Sequence, residues 1–93
     1  MQIVNCKRCG ADVPIPNLKA EVERRISNTA NRLGKMQAVI ELKNHAGLGL
    51  AEAKAVASHL ADEEANCHRC HRELFDEKKE SNCSLCGSLN LRW

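Results

Sequence analysis

The sequence predicts a small α+β metal-binding protein in which three helices, two of them forming a hairpin, lie between a short N-terminal cysteine segment and a longer C-terminal one. Three observations predict it. Six cysteines fall into three C-x-x-C pairs, Cys6 and Cys9, Cys67 and Cys70, and Cys83 and Cys86. Apolar residues recur at helical spacing between residues 17 and 62, whereas the two ends carry short β-like runs punctuated by proline and glycine. Only Phe75 and Trp93 are aromatic in a chain of 93 residues, so metal ligation is expected to anchor a core that lacks buried rings. The organisation read from this is an N-terminal knuckle over 1–16, a helical region over 17–62 and a cysteine-rich module over 63–93.

The elements follow in order. Gln2-Ile3-Val4 reads as a strand, and Val13-Pro14-Ile15-Pro16 is held extended because proline fixes its own backbone and that of its predecessor. Asn17 is a good N-cap, and Leu18, Val22, Ile26, Ala30 and Leu33 predict a first helix over 18–33, stopped by Gly34. A second helix is expected from Lys35 to about Ala46, with Met36, Val39, Ile40 and Leu42 as its apolar residues. Gly47-Leu48-Gly49 breaks it. The third helix runs from Leu50 to about Ala61, and its mostly small face of Leu50, Ala53, Val56, Ala57 and Leu60 lets it pack closely against the second as a hairpin. Strands are expected around 73–75 and 88–93.

The opening Met1-Gln2-Ile3-Val4 lacks the charged and apolar regions of a secretory leader, so a reducing, cytoplasmic setting is expected and the cysteines read as ligands instead of disulfides. No run approaches the roughly 18 apolar residues of a membrane helix. The formal net charge of +2 counts every thiol as neutral, and one zinc held by four thiolates brings the chain close to zero. Cations are spread from Lys7 to Arg92 with acids between them, so the electrostatic footprint expected of a nucleic-acid binder is weak.

Two thiolates three positions apart point inward from one tight turn, whose backbone amides relieve their charge. Cys67, Cys70, Cys83 and Cys86 form a C-x2-C-x12-C-x2-C pattern, with Gly87 permitting the sharp turn after the last cysteine. The stretch from Cys67 to Trp93, with "CHRCHREL" and "NCSLCGSLNLRW", resembles the C-terminal half of rubredoxin-like zinc ribbons. The resemblance implies a closed structural zinc site at these four cysteines.

Cys6 and Cys9, followed by Gly10, form a third knuckle with three uses open to it. The pair can join His68 and His71 in a second zinc site, displace a ribbon pair, or stand alone as a redox-sensitive dithiol. An iron–sulfur cluster on four of the six cysteines is the alternative cofactor to zinc. His68 and His71 read as solvated neighbours of ligands, and His45 and His59 as partners of helix C-terminal dipoles.

The run "KMQAVIELKNHAGLGLAEAK" from Lys35 to Lys54 resembles the helix-turn-helix of the bacterial ribosomal stalk protein's C-terminal domain, and "GLGLAEAK" carries the likeness. A related signal occurs in the N-terminal domain of elongation factor Ts. In the stalk family this hairpin docks translational GTPases, and the resemblance assigns that role to Lys35, Val39, Lys43 and Lys54. Lys43 stands where that family usually has arginine, and Ala51 where it often has lysine.

No nucleophile–base pair or phosphate-cradling loop is legible, so the chain is not expected to be an enzyme; the nearest enzymatic use, a thiol oxidoreductase on Cys6 and Cys9, lacks its βαβ setting. The expectation is a non-catalytic, metal-stabilised module that binds a protein partner, such as a translational GTPase, through the 35–60 hairpin. Two alternatives are a small inhibitor, an antitoxin or immunity protein that occludes a cognate toxin, and nucleic-acid binding by the ribbon through Arg69, Arg72, Lys78, Lys79, Arg92 and Trp93.

Overall fold

A computed structural model of the chain describes residues 2–62, 66–74 and 79–93. Strand β1 (Gln2–Asn5) pairs antiparallel with β2 (Asp12–Ile15), so that Val4 faces Val13 and the Cys6–Gly10 turn closes the hairpin. Val13 and Ile15 are buried and turn this hairpin toward the helices.

Helix α1 (Ala20–Leu33) begins two residues later than its apolar spacing suggests, with Lys19 as N-cap in place of Asn17. Half-buried Leu18 packs against the core before the helix starts. Ile26 and Ala30 are buried as expected, but Leu33 at the helix end is 71% exposed. Glu23 is also buried, and its Oε1 accepts a 2.7 Å bond from Lys79 Nζ, which ties α1 to the C-terminal module and raises the Lys79 pKa.

Helix α2 (Lys35–Ala46) has the expected bounds, ended by Gly47 in the left-handed conformation. Ala38, Val39 and Leu42 face inward. Helix α3 (Leu50–Ser58) packs against α2 as the anticipated hairpin, with Ala53, Val56 and Ala57 on the buried side. Glu52 Oε1 accepts the Gly49 N–H at 3.1 Å and caps its start. It ends three residues sooner than expected, because Leu60 and Ala61 leave the helix to pair with the last strand: Leu91 N–H donates to His59 O at 2.7 Å and Ala61 N–H to Leu91 O at 2.9 Å.

That last strand, β4 (Leu89–Leu91), pairs antiparallel with β3 (Glu80–Asn82). The strand expected at 73–75 is not the partner. Glu73 makes only an isolated bridge to Asn66, and Phe75 lies outside the described residues. One apolar cluster runs through all three segments, joining Cys6, Val13 and Ile15 to Ile26, Val39, Leu42, Val56 and Leu60 and to Leu89 and Leu91. A smaller cluster of Ala61, Cys67, Leu74 and Cys83 lies beneath the C-terminal module. The chain is thus a small, compact α+β protein with three helices and a cysteine tetrad that could bind a metal. Among the described residues no helix is long and apolar enough to cross a membrane.

Candidate metal centre

Three turns of the same construction carry the six cysteines. In each, the first cysteine's N–H donates to a carbonyl five residues on: Cys6 to Ala11 at 2.9 Å, Cys67 to Arg72 at 2.8 Å and Cys83 to Ser88 at 2.8 Å. In each, the residue after the second cysteine donates back to the first cysteine's carbonyl, from Gly10 at 2.7 Å, His71 at 2.9 Å and Gly87 at 2.9 Å. That residue has positive φ in every turn, at 76°, 63° and 78°. Glycine adopts this conformation freely; His71 does so at a steric cost. The turn aims both cysteine side chains of a pair to one side.

Two of these turns face each other. The Sγ atoms of Cys67 and Cys86 lie 3.6 Å apart and those of Cys70 and Cys83 lie 3.5 Å apart. All four ligand atoms fall within 4.8 Å of one another. Tetrahedral zinc with bonds of about 2.3 Å sets sulfurs about 3.8 Å apart, so the spacing and the donor set fit such a cation. Cys67 and Cys83 are buried and the other two partly so. Beside a β-hairpin, this is a zinc-ribbon-like arrangement able to hold a metal ion such as zinc.

The electrostatics suit a cation. Without one, four thiolates this close cannot all carry charge, and the protons divide unevenly. Burial opposes ionisation of Cys67, but hydrogen bonds from the Cys70 and Arg69 amides, the Asn90 side chain and the Cys86 thiol outweigh it and bring its pKa down to about 6. Cys83 is likewise lowered, chiefly by the Cys86 amide. Burial and the neighbouring sulfurs push Cys86 up to about 11; Cys70 is also raised, its hydrogen bond from the Arg72 amide being outweighed by burial and by the neighbouring sulfurs.

Asn90, fully buried in β4, supports the tetrad and was not singled out in the sequence. Its Oδ1 accepts the His68 N–H at 2.9 Å and its Nδ2 donates to Ser88 O at 3.1 Å, so one side chain joins both turns. Sequence gave no signal for it beyond an asparagine flanked by two leucines.

Cys6 and Cys9 do not meet His68 or His71. The His68 ring lies 2.9 Å from both Leu89 O and Ser88 Oγ, and exposed His71 pairs with Asp62 at 2.9 Å. The residue beside Cys6 and Cys9 is His59, buried at the C-terminal end of α3 and read from sequence only as a dipole partner. Its Nε2 is 3.5 Å from Cys9 Sγ. The Cys6 sulfur accepts the Leu89 N–H at 3.3 Å; burial works against its charge, but this bond and those from the Cys9 and Arg8 amides and the Cys9 thiol lower its pKa to about 6. Arg8 Nη1 donates to Cys86 O at 3.3 Å and seats this turn against the last one.

The residues assigned to a partner surface are distributed differently. Lys43 and Lys54 are exposed. Val39 is 4% exposed and belongs to the core. Lys35 is exposed as well, but its Nζ is engaged within the chain, donating to Ser58 O and Leu60 O, both at 3.3 Å, at the end of α3. Burial there lowers its pKa, with Asp62 opposing. The chain matches no protein-family profile, no curated protein and no solved structure.

Proposed function

We propose that the protein is a non-catalytic binding module, stapled by a structural zinc at Cys67, Cys70, Cys83 and Cys86, that engages a protein partner through the α2–α3 hairpin. One observation carries this reading. Helix α2 is apolar on both sides: Ala38, Val39 and Leu42 are spent on the core, yet Met36 and Ile40 stand 64% and 48% exposed. Met36 and Ile40 are one helical turn apart and Lys43 follows on the same face, so the helix offers an apolar stripe ended by a cation. Leu50 and Lys54 on α3 are also exposed. Such a surface complements an apolar patch rimmed by acids.

A translational GTPase is the partner class proposed, on the likeness of the 35–54 run to the ribosomal stalk hairpin. The surface offered here is Met36, Ile40, Lys43 and Lys54, without Val39 and Lys35. The test is retention of purified translational GTPases on the immobilised, zinc-loaded protein. Wild type is expected to retain one of them, and Met36→Asp with Ile40→Asp, or Lys43→Glu with Lys54→Glu, to lose it. Passage of the whole panel through the wild-type column overturns the partner assignment. Metal analysis after anaerobic purification tests the staple, since iron and sulfide in place of zinc overturn it.

A further inference from the structure

The N-terminal turn has no part in the tetrad, yet it is built as a ligand turn and is closed from the far side by a buried histidine. Cys6 Sγ, Cys9 Sγ and one ring nitrogen of His59 lie within 4.8 Å of one another. Among the described residues no other cysteine, histidine or carboxylate joins this cluster.

The histidine is prepared for ligation. His59 Nδ1 lies 2.6 Å from Ala55 O. A carbonyl only accepts, so Nδ1 carries the ring proton and Nε2, the atom facing Cys9, presents a lone pair. A metal-bound histidine is oriented in the same way, by a carbonyl on its other nitrogen. The flanking carbonyls of Ser58 and Leu60 are both held by Lys35 Nζ, which fixes the backbone on either side of the ring. On the opposite wall the Leu89 amide already donates to Cys6 Sγ, as amides do to thiolate ligands.

We propose that Cys6, Cys9 and His59 form a second zinc site, with three protein ligands and a fourth position open to an exogenous ligand. As the two zinc–sulfur bonds form, each thiol proton still present leaves to solvent, while Nε2 gives its lone pair without losing one. Three protein ligands plus water is the coordination of exchangeable and reactive zinc, whereas four thiolates close the sphere. Cys6 and His59 are buried and Cys9 is exposed, so the open position lies on the Cys9 side. Water fills it at rest, and imidazole or a small thiol replaces the water.

The experiment uses the full chain, zinc-loaded and freed of excess metal, with zinc per chain measured beside alkylation of each cysteine mapped by mass spectrometry. Wild type is expected to hold two zincs, with all six cysteines protected. Cys9→Ser, at an exposed position that leaves the core intact, and His59→Gln are each expected to hold one, with the tetrad still protected. In the cobalt-substituted protein, imidazole should shift the visible bands of wild type and not those of Cys9→Ser. One zinc in wild type with Cys6 and Cys9 alkylated freely overturns the site while leaving the tetrad standing. Protection of Cys6 and Cys9 with an alkylated tetrad supports the site and overturns the structural zinc instead. Two zincs with cobalt bands indifferent to imidazole overturn the open position.

Discussion

The turn at Cys6–Gly10 and the turns at Cys67–His71 and Cys83–Gly87 share one backbone design but sit in different company. The two C-terminal turns meet each other, and four sulfurs come together with Ala61 and Leu74, among the described residues, in their cluster. The N-terminal turn meets the end of a helix, and its first cysteine belongs to the main apolar cluster with Val13, Leu60 and Leu89. The identical local fold therefore yields a closed tetrad in one place and a three-ligand cluster in the other. What each turn faces, and not how it is wound, decides its coordination chemistry. Among the described residues the tetrad shares its cluster with Ala61 and Leu74 alone, whereas Cys6 of the N-terminal turn lies in the main cluster that also holds Leu89 and Leu91.

Breaking the tetrad gives the largest expected effect. Structural zinc supplies about 10–16 kcal/mol of apparent binding energy in small domains, so Cys83→Ser or a strong chelator should abolish ordered structure in β3 and β4. Amide exchange at Leu89–Leu91 should rise toward that of an unfolded chain, while Cys9→Ser leaves it slow; equal exchange in the two variants would erase the distinction between the turns.

Acid should separate the sites next. Zinc entering the tetrad displaces the protons that Cys70 and Cys86 retain at neutral pH, where both have raised pKa values. Affinity then falls by at least about a hundredfold for each pH unit lost around neutrality. Below about pH 6, where Cys67 also takes a proton, the fall steepens. The sign is loss of metal, and of the stability it brings, as pH falls. A chelator titration against pH checks the slope, and the three-ligand cluster is expected to give up its zinc at the higher pH.

Asn90→Ala leaves the half-buried His68 N–H without its acceptor, whereas the Ser88 carbonyl keeps the Cys83 amide. The cost is about 1–3 kcal/mol, read as a lower denaturation midpoint of zinc-saturated protein. Lys35→Met removes the cation from the carbonyls on either side of His59 and should cost about 1–2 kcal/mol. Its distinguishing sign is weaker metal binding at His59 with the tetrad unchanged. The smallest effect belongs to His71→Gly. It relieves about 1 kcal/mol of left-handed strain and loses an exposed hydrogen bond to Asp62 worth about 0–1 kcal/mol, so a slight rise in thermal midpoint is expected.

Features fixed by neighbouring residues were legible in the sequence. Each ligand pair is a four-residue event, and α2 is bounded by two glycines, so both are where the sequence places them. Features decided by distant partners were not. Helix α3 stops early because Leu60 and Ala61 are claimed by Leu91. Strand β3 is Glu80-Ser81-Asn82, a polar run with no β signature, and it is extended because β4 lies beside it. Of the strand expected at 73–75, Glu73 makes an isolated bridge to Asn66 and Phe75 lies outside the described residues. His59 is 50 positions from Cys9 and occupies a helix end where a histidine has an ordinary local use, so nothing nearby marks it as a ligand. Val39 shows the reverse error, since a position borrowed from a surface hairpin is here roofed over by the rest of the chain.

The hydrogen bond from the Leu89 amide to Cys6 joins residues 83 positions apart, and this sets a schedule for synthesis. At about 5–20 residues per second, a ribosome needs on the order of 4–17 s between adding Cys6 and adding Leu89. Throughout that interval Cys6 lacks the Leu89 amide that later donates to its sulfur. Cys6 is thus the first of the six cysteines to be made, and its sulfur gains the Leu89 hydrogen bond only after all the others have been added.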